Sequence, residues 1–262
     1  MSPQIAQMPQ IQSKTLYIKT HGAQTALSAL DRCVRDEILS VIIGAPGVGK
    51  NKTIRYWSKQ NRGKVRHLIV EATVRNAPRP LLAAISKALG IEGMEHRTLD
   101  KVCLALAERL AKDPVAVIIN EADMLSMVAF EKLRGIWDMV SEMRDTDGER
   151  AFPLALFGTP RLREILQRPD LERLHRRVGE FDVMLPMNQA ELQTAVKAKW
   201  PEAKVEAAAF DELTRLSRGS FGWLDKIMPK AIELAAKDGN AINSRILEVT
   251  RRYLLGLPEM NA

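Results

Sequence analysis

The run Gly44-Ala45-Pro46-Gly47-Val48-Gly49-Lys50 constrains this chain more than any other stretch. It matches G-x-x-x-x-G-K, a turn whose glycines let consecutive backbone N–H groups point inward around a phosphate. Such a turn needs a strand to deliver the chain and a helix to leave it, because the helix N-terminus completes the anion site. Both flanks fit. Ile38 to Ile43 is an unbroken apolar run, as expected of a strand buried on both faces. The residues after the loop read as a helix to about Gln60. The candidate nucleotide contacts are therefore Gly44, Ala45, Pro46, Gly47, Val48, Gly49, Lys50, Asn51 and Lys52, with Lys50 reaching the terminal phosphates.

The rest of the chain alternates in the same way. Ala26, Leu27, Leu30 and Val34 predict a helix over 24–34. Strands are expected at Val65 to Val70, Val115 to Ile119 and Leu154 to Phe157, with a fifth at Phe181 to Leu185. Helices are expected from Pro78 to Leu89, Leu99 to Leu110 and Phe130 to Met143, and Asp145 to Arg150 reads as a charged loop. Strands alternating with helices predict an α/β fold with a parallel sheet covered on both sides. After Pro186 the pattern changes to helices alone, at Glu191 to Trp200, Glu206 to Ser217, Trp223 to Lys237 and Asn243 to Leu254. The expected organisation is an arm and lead-in helix (1–37), a phosphate-loop core (38–186), an all-helical domain (187–257) and a tail (258–262). Residues 1 to about 16, with Pro3 and Pro9, read as a loose arm.

Two positions depart from the usual chemistry of such a loop. A Ser or Thr normally follows the lysine, and its hydroxyl binds Mg²⁺; here the residue is Asn51. Thr53, two residues on, lies in another helical direction. The run Val117-Ile118-Ile119-Asn120-Glu121-Ala122-Asp123 reads as an apolar strand ending in acids, but Asn120 stands where an aspartate would anchor the metal's shell. An amide offers the cation only a neutral oxygen. Asn51 and Asn120 are thus the candidate metal residues, and hydrolysis is expected to be slow or absent. Glu121 sits where a carboxylate would polarise the attacking water, the alternative being a solvated acid at a strand end. Thr159 ends the next strand, beside the expected γ-phosphate or simply within the turn Gly158-Thr159-Pro160.

Charge points to an acidic partner. Lys and Arg total 39 against 32 Asp and Glu, a formal charge of +7, the balance expected of a nucleic-acid binder or of an ordinary basic protein. Arg75, Arg79, Thr98 and Lys101 group in two loops and suit contacts to a phosphate backbone. No aromatic residues interleave with them, so base stacking is not indicated. Arginines crowd 161–177, and Arg173 and Arg176 are candidates to reach a neighbouring subunit's phosphate. Solvation of a basic surface is the alternative for both groups. Only two cysteines occur, Cys33 and Cys103, without a CxxC pair, so a reduced, cytoplasmic setting is expected. No signal-peptide pattern or membrane-length apolar run is present.

Four segments together resemble a known family. They are Val41 to Lys50, Ile118 to Asp123, and Phe157-Gly158-Thr159-Pro160-Arg161, joined by Gly219 to Ile227. The combination looks like the AAA+ ATPases of DNA transposition, the MuB, TnsC and TniB group, over roughly residues 20 to 255. The resemblance implies a RecA-like sheet with a helical lid. It also implies binding of ATP with Mg²⁺ and assembly into rings or filaments on double-stranded DNA. Partners would then be duplex DNA, further copies of the chain, and a transposase of the DDE type to which target DNA is delivered. In TnsC-like relatives the positions matching Arg75 and Thr98 face DNA, and Trp223 stands where some AAA+ proteins carry a lid arginine. A non-hydrolysing nucleotide switch and a helicase-loader-like ATPase are the alternative functions.

Overall fold

The computed structural model describes residues 17–72, 77–94, 96–146 and 150–256. The expected arm over 1–16, the tail over 258–262, Arg75 and the middle of the 145–150 loop lie outside the described residues.

Five strands make one parallel sheet: β1 (Leu39–Gly44), β2 (His67–Glu71), β3 (Ala116–Asn120), β4 (Leu154–Gly158) and β5 (Val178–Met184). Their order is β2-β3-β4-β1-β5. Every residue of β1, β3 and β4 is buried, which is why those runs are apolar without alternation. The helices of this part are α1 (His21–Asp36), α2 (Lys50–Gln60), α3 (Pro78–Ala88), α4 (Leu99–Lys112), α5 (Met127–Met143), α6 (Arg161–Leu166) and α7 (Glu172–His175). Successive strand residues face opposite sides, and the two cores follow from that. Leu39, Val41, Ile43, Val117, Ile119, Leu154 and Leu156 pack with Phe130, Trp137 and Leu106 of α5 and α4. Ile42, Ile118, Ala155 and Phe157 pack on the other face, against Ala26 and Leu30 of α1 and Ile54 and Trp57 of α2.

β5 begins three residues earlier than the apolar pattern suggests. Gly179 and Glu180 interrupt its apolar run, and both acids of this edge strand are employed: Glu180 and Asp182 accept from the Arg32 guanidinium on α1. α6 and α7 are short, and the expected elements do not include them.

Beyond β5 the chain forms α8 (Gln189–Lys199), α9 (Ala209–Ser217), α10 (Phe221–Asp238) and α11 (Ser244–Leu254). Asn188 and Glu191 start α8 with a reciprocal capping box. These helices bury a cluster of their own, including Leu192, Val196, Leu213, Ile227, Met228 and Leu247. Complete burial of a side chain of that size contributes about 1.5–3 kcal/mol relative to exposure. Among the described residues no helix is long and apolar enough to cross a membrane.

Candidate nucleotide-binding site

The site forms outside the carboxyl ends of β1, β3 and β4, where the strand order reverses and loops diverge around a crevice. A cleft of about 460 Å³ opens there. The phosphate loop supplies Pro46, Gly47, Gly49, Lys50, Asn51 and Lys52 to its wall; the β3 and β4 ends supply Glu121, Asp123 and Thr159.

The loop's sequence is explained by its path. Gly47 has φ +81 and Gly49 has φ +106, backbone that side chains with a Cβ seldom adopt. α2 leaves the loop at Lys50 with no side-chain cap at Gly49 and no acid in its first turn. Lys50 and Lys52 stand there instead, against the helix dipole, which favours anions at an N-terminus. Local helix chemistry is thus sacrificed for an arrangement suited to an added anion. Lys50 Nζ donates to the carbonyls of Gly44 at 2.6 Å and Ala45 at 3.2 Å. Burial lowers the ammonium's pKa below that of an ordinary lysine, and the charges of Asp123 and Glu121 pull it partly back.

The two asparagines meet. Asn120 Nδ2 donates to Asn51 Oδ1 at 2.9 Å and to Glu71 Oε2 at 2.6 Å. The carboxylate can only accept, so it fixes which end of the Asn120 amide faces it. The sequence assigns Asn120 an oxygen for the metal; the structure corrects this by turning its NH₂ group toward Asn51 and Glu71. The amide oxygen is left buried without a hydrogen-bond partner. Glu71 was not singled out from sequence, because its link to Asn120 exists only through the pairing of β2 with β3.

The remaining polar groups are held tightly. Asp123 accepts from the Thr159 backbone N–H at 3.1 Å and from its hydroxyl at 2.7 Å. Gly158 permits this approach, since a Cβ there would lie 2.8 Å from Asp123 Oδ1. Glu121 is exposed at the cleft in the left-handed region, φ 56, an uncommon backbone for a residue other than glycine. Such conformations cost of order 1–3 kcal/mol and cluster at working sites. Thr53 does not face the cleft: it is buried and meets the Tyr17 hydroxyl.

The start of α10 closes the cleft from the other side. The Gly222 N–H donates to the Gly47 carbonyl at 3.4 Å, and Ser220 Oγ donates to the Pro46 carbonyl at 3.3 Å. A Cβ on Gly47 would fall 2.2 Å from Ser220 Oγ, so glycine is required there for contact as well as for conformation.

A scan against family models matches the AAA domain over residues 34–166, just over half of the chain. The chain belongs to the AAA domain family. Membership implies ATP binding, usually with Mg²⁺. Solved structures extend the likeness of fold. The Aeropyrum pernix ORC1 protein in complex with DNA matches with a TM-score of 0.65 at 15% identity, over 93% of this chain and 68% of that one. Cdc6p from Pyrobaculum aerophilum matches with 0.64 at 15%, over 94% and 71%. A mutant RuvB from Thermotoga maritima matches with 0.55 at 18%, over 92% and 72%. No curated protein matches.

A hard divalent cation prefers oxygen ligands, and the AAA cleft presents the Asn51 amide oxygen with the Glu121 and Asp123 carboxylates. That donor set fits Mg²⁺, although the acid usual at the end of β3 is absent. The position on the lid differs from expectation. Phe221, Gly222 and Asp225 face the cleft, whereas Trp223, one helical step round, lines a separate groove with Arg215, Arg218 and Arg251. Asp225 is in turn paired with Lys199.

None of the arginines between 161 and 177 lines the AAA domain's own cleft. Arg173 is exposed, Arg176 pairs with Glu172, and Arg177 pairs with Asp138. Of the basic loop residues that are described, Arg79 reaches Arg97. Arg79 Nη1 donates to the Arg97 carbonyl at 3.0 Å, which joins the start of α3 to the start of α4. Thr98 caps α4 by accepting from the Lys101 N–H, and its hydroxyl keeps a proton to donate. Cys33 and Cys103 are both buried and unpaired; burial pushes the Cys33 thiol up to about 12.

Proposed function

We propose that the chain is an ATP-gated DNA-binding assembly factor that forms rings or filaments on duplex DNA and delivers that DNA to a DDE-type transposase. The seating of α10 on the phosphate loop carries this reading, because a nucleotide entering the cleft must also meet the lid. Gly44 to Lys52 would hold the phosphates, and Asn51 the Mg²⁺. Thr159, fixed by Asp123, would sense the γ-phosphate, and Glu121 would polarise water. Arg173 or Arg176 would act on the next subunit's nucleotide. Arg79, Thr98 and Lys101 would together meet a phosphate backbone, a reading supported by the Arg79 bond to Arg97 beside Thr98 and by the structurally similar ORC1 protein, which was solved with DNA. The transposition partner rests on the motif resemblance alone.

The amide pair Asn51 and Asn120 favours a second reading, in which ATP is bound and exchanged but hardly hydrolysed. Both readings share the gating step.

Anisotropy of a labelled random-sequence duplex tests the DNA assignment. Binding is expected with ATP and not without it. Arg79→Ala and Lys101→Ala should each weaken binding on all sequences alike and reduce the slope against log salt by about one. Salt slopes identical to native in both variants would remove these residues from the DNA interface.

A further inference from the structure

We infer that Glu71 supplies the negative charge that orients the divalent-cation site, displaced by one strand from its usual place. The inference rests on the ATP-binding reading of the cleft. Glu71 and Asn120 are the last residues of β2 and β3 and are register partners across the parallel pair. In the usual arrangement a carboxylate on the central strand accepts from the hydroxyl after the lysine. Here the same contact runs in reverse: Asn120 Nδ2 is the donor and Asn51 Oδ1 the acceptor, at 2.9 Å. The second Asn120 proton goes to Glu71 Oε2 at 2.6 Å. The cluster of Asn51, Asn120 and Glu71 therefore carries the single negative charge that a hydroxyl and aspartate pair would carry.

Three features indicate that this is an adapted site and not simply a degraded one. Asn120 is fully buried, so its amide orientation is set by its partners. Glu71 can only accept, which directs the NH₂ group and turns Asn51 Oδ1 into an oriented oxygen at the cleft wall. Glu71 is itself exposed and does not line the cleft, so its charge reaches the cation site through the hydrogen-bonded amides of Asn120 and Asn51. A neutral residue at 71 would leave Asn120 without its anionic partner and the Asn51, Asn120 and Glu71 cluster without its one negative charge. Glu71 acts through Asn120 and Asn51 and is a positioning residue.

The test measures metal binding and not turnover. Mn²⁺ binding to the full chain with ATP is followed by the loss of the free-ion paramagnetic resonance signal. ATP binding in EDTA and the melting temperature are measured in parallel. Glu71→Gln is expected to weaken Mn²⁺ binding about tenfold, the order produced by removing one charge near a divalent cation in a partly solvated site. Its ATP affinity in EDTA should stay at the native value. The double variant Glu71→Gln with Asn120→Asp returns the carboxylate to β3 and moves the amide to β2. It should recover Mn²⁺ affinity to within about threefold of native, since the charge and the hydrogen bond are both restored. Native Mn²⁺ affinity in Glu71→Gln, or a double variant no better than Glu71→Gln alone, would overturn the inference while leaving nucleotide binding intact. Absence of ATP binding by the native chain in EDTA would instead overturn the nucleotide reading, and the inference with it.

Discussion

Lys50→Ala is expected to weaken ATP binding roughly 10- to 100-fold, the equivalent of one charge-assisted hydrogen bond to phosphate. Fold stability should be unchanged or slightly higher. Lys50 opens α2, where a cation opposes the helix dipole, and its ammonium loses solvation without gaining a full ion pair. Alanine removes that penalty and has the higher helix propensity. The Gly44 and Ala45 carbonyls that accept from Lys50 lose one donor each, and water can replace it at the exposed Ala45. Calorimetry of ATP binding alongside thermal melting checks both halves. A lysine serving only structure would show the opposite: a lower melting temperature with ATP affinity retained.

Asn120→Asp, which would superficially restore the usual metal ligand, is expected to destabilise the native chain by about 3–5 kcal/mol, the range for an uncompensated buried charge. The new carboxylate would face Glu71 Oε2 and Asn51 Oδ1 at contact distances that now hold two donated protons. Asn51 could turn its own NH₂ group to meet it; Glu71 has no proton to offer. At roughly 2–4 °C per kcal/mol for a chain of this size, the melting temperature should fall by about 6–20 °C. ATP with Mg²⁺ should recover part of that loss, because the cation neutralises the added charge. A melting temperature equal to native without metal would mean that Asn120 does not hold Glu71 as described.

The phosphate loop and the sheet were legible because their signals are local. A strand buried on both faces has to be apolar throughout, and β1, β3 and β4 are. The missed features depend on distant pairing. Glu71 is an ordinary strand-end acid until β2 is placed in register with β3. Asp123 is one acid among several until Gly158 brings β4 close enough for it to hold Thr159. The early start of β5 was hidden because Glu180 is polar for the sake of Arg32, on a helix some 150 positions away. The lid residues turned on helical phase. Trp223 and Asp225 are two positions apart, so they cannot share a face, and only the second reaches the cleft.

Electron microscopy of the native chain on long duplex DNA, with ATP, without nucleotide, and as Lys50→Ala with ATP, examines the proposed gate directly. Ordered rings or filaments on DNA should form only for the native chain with ATP. DNA coated equally in all three samples, or left bare in all three, would contradict ATP-gated assembly on DNA.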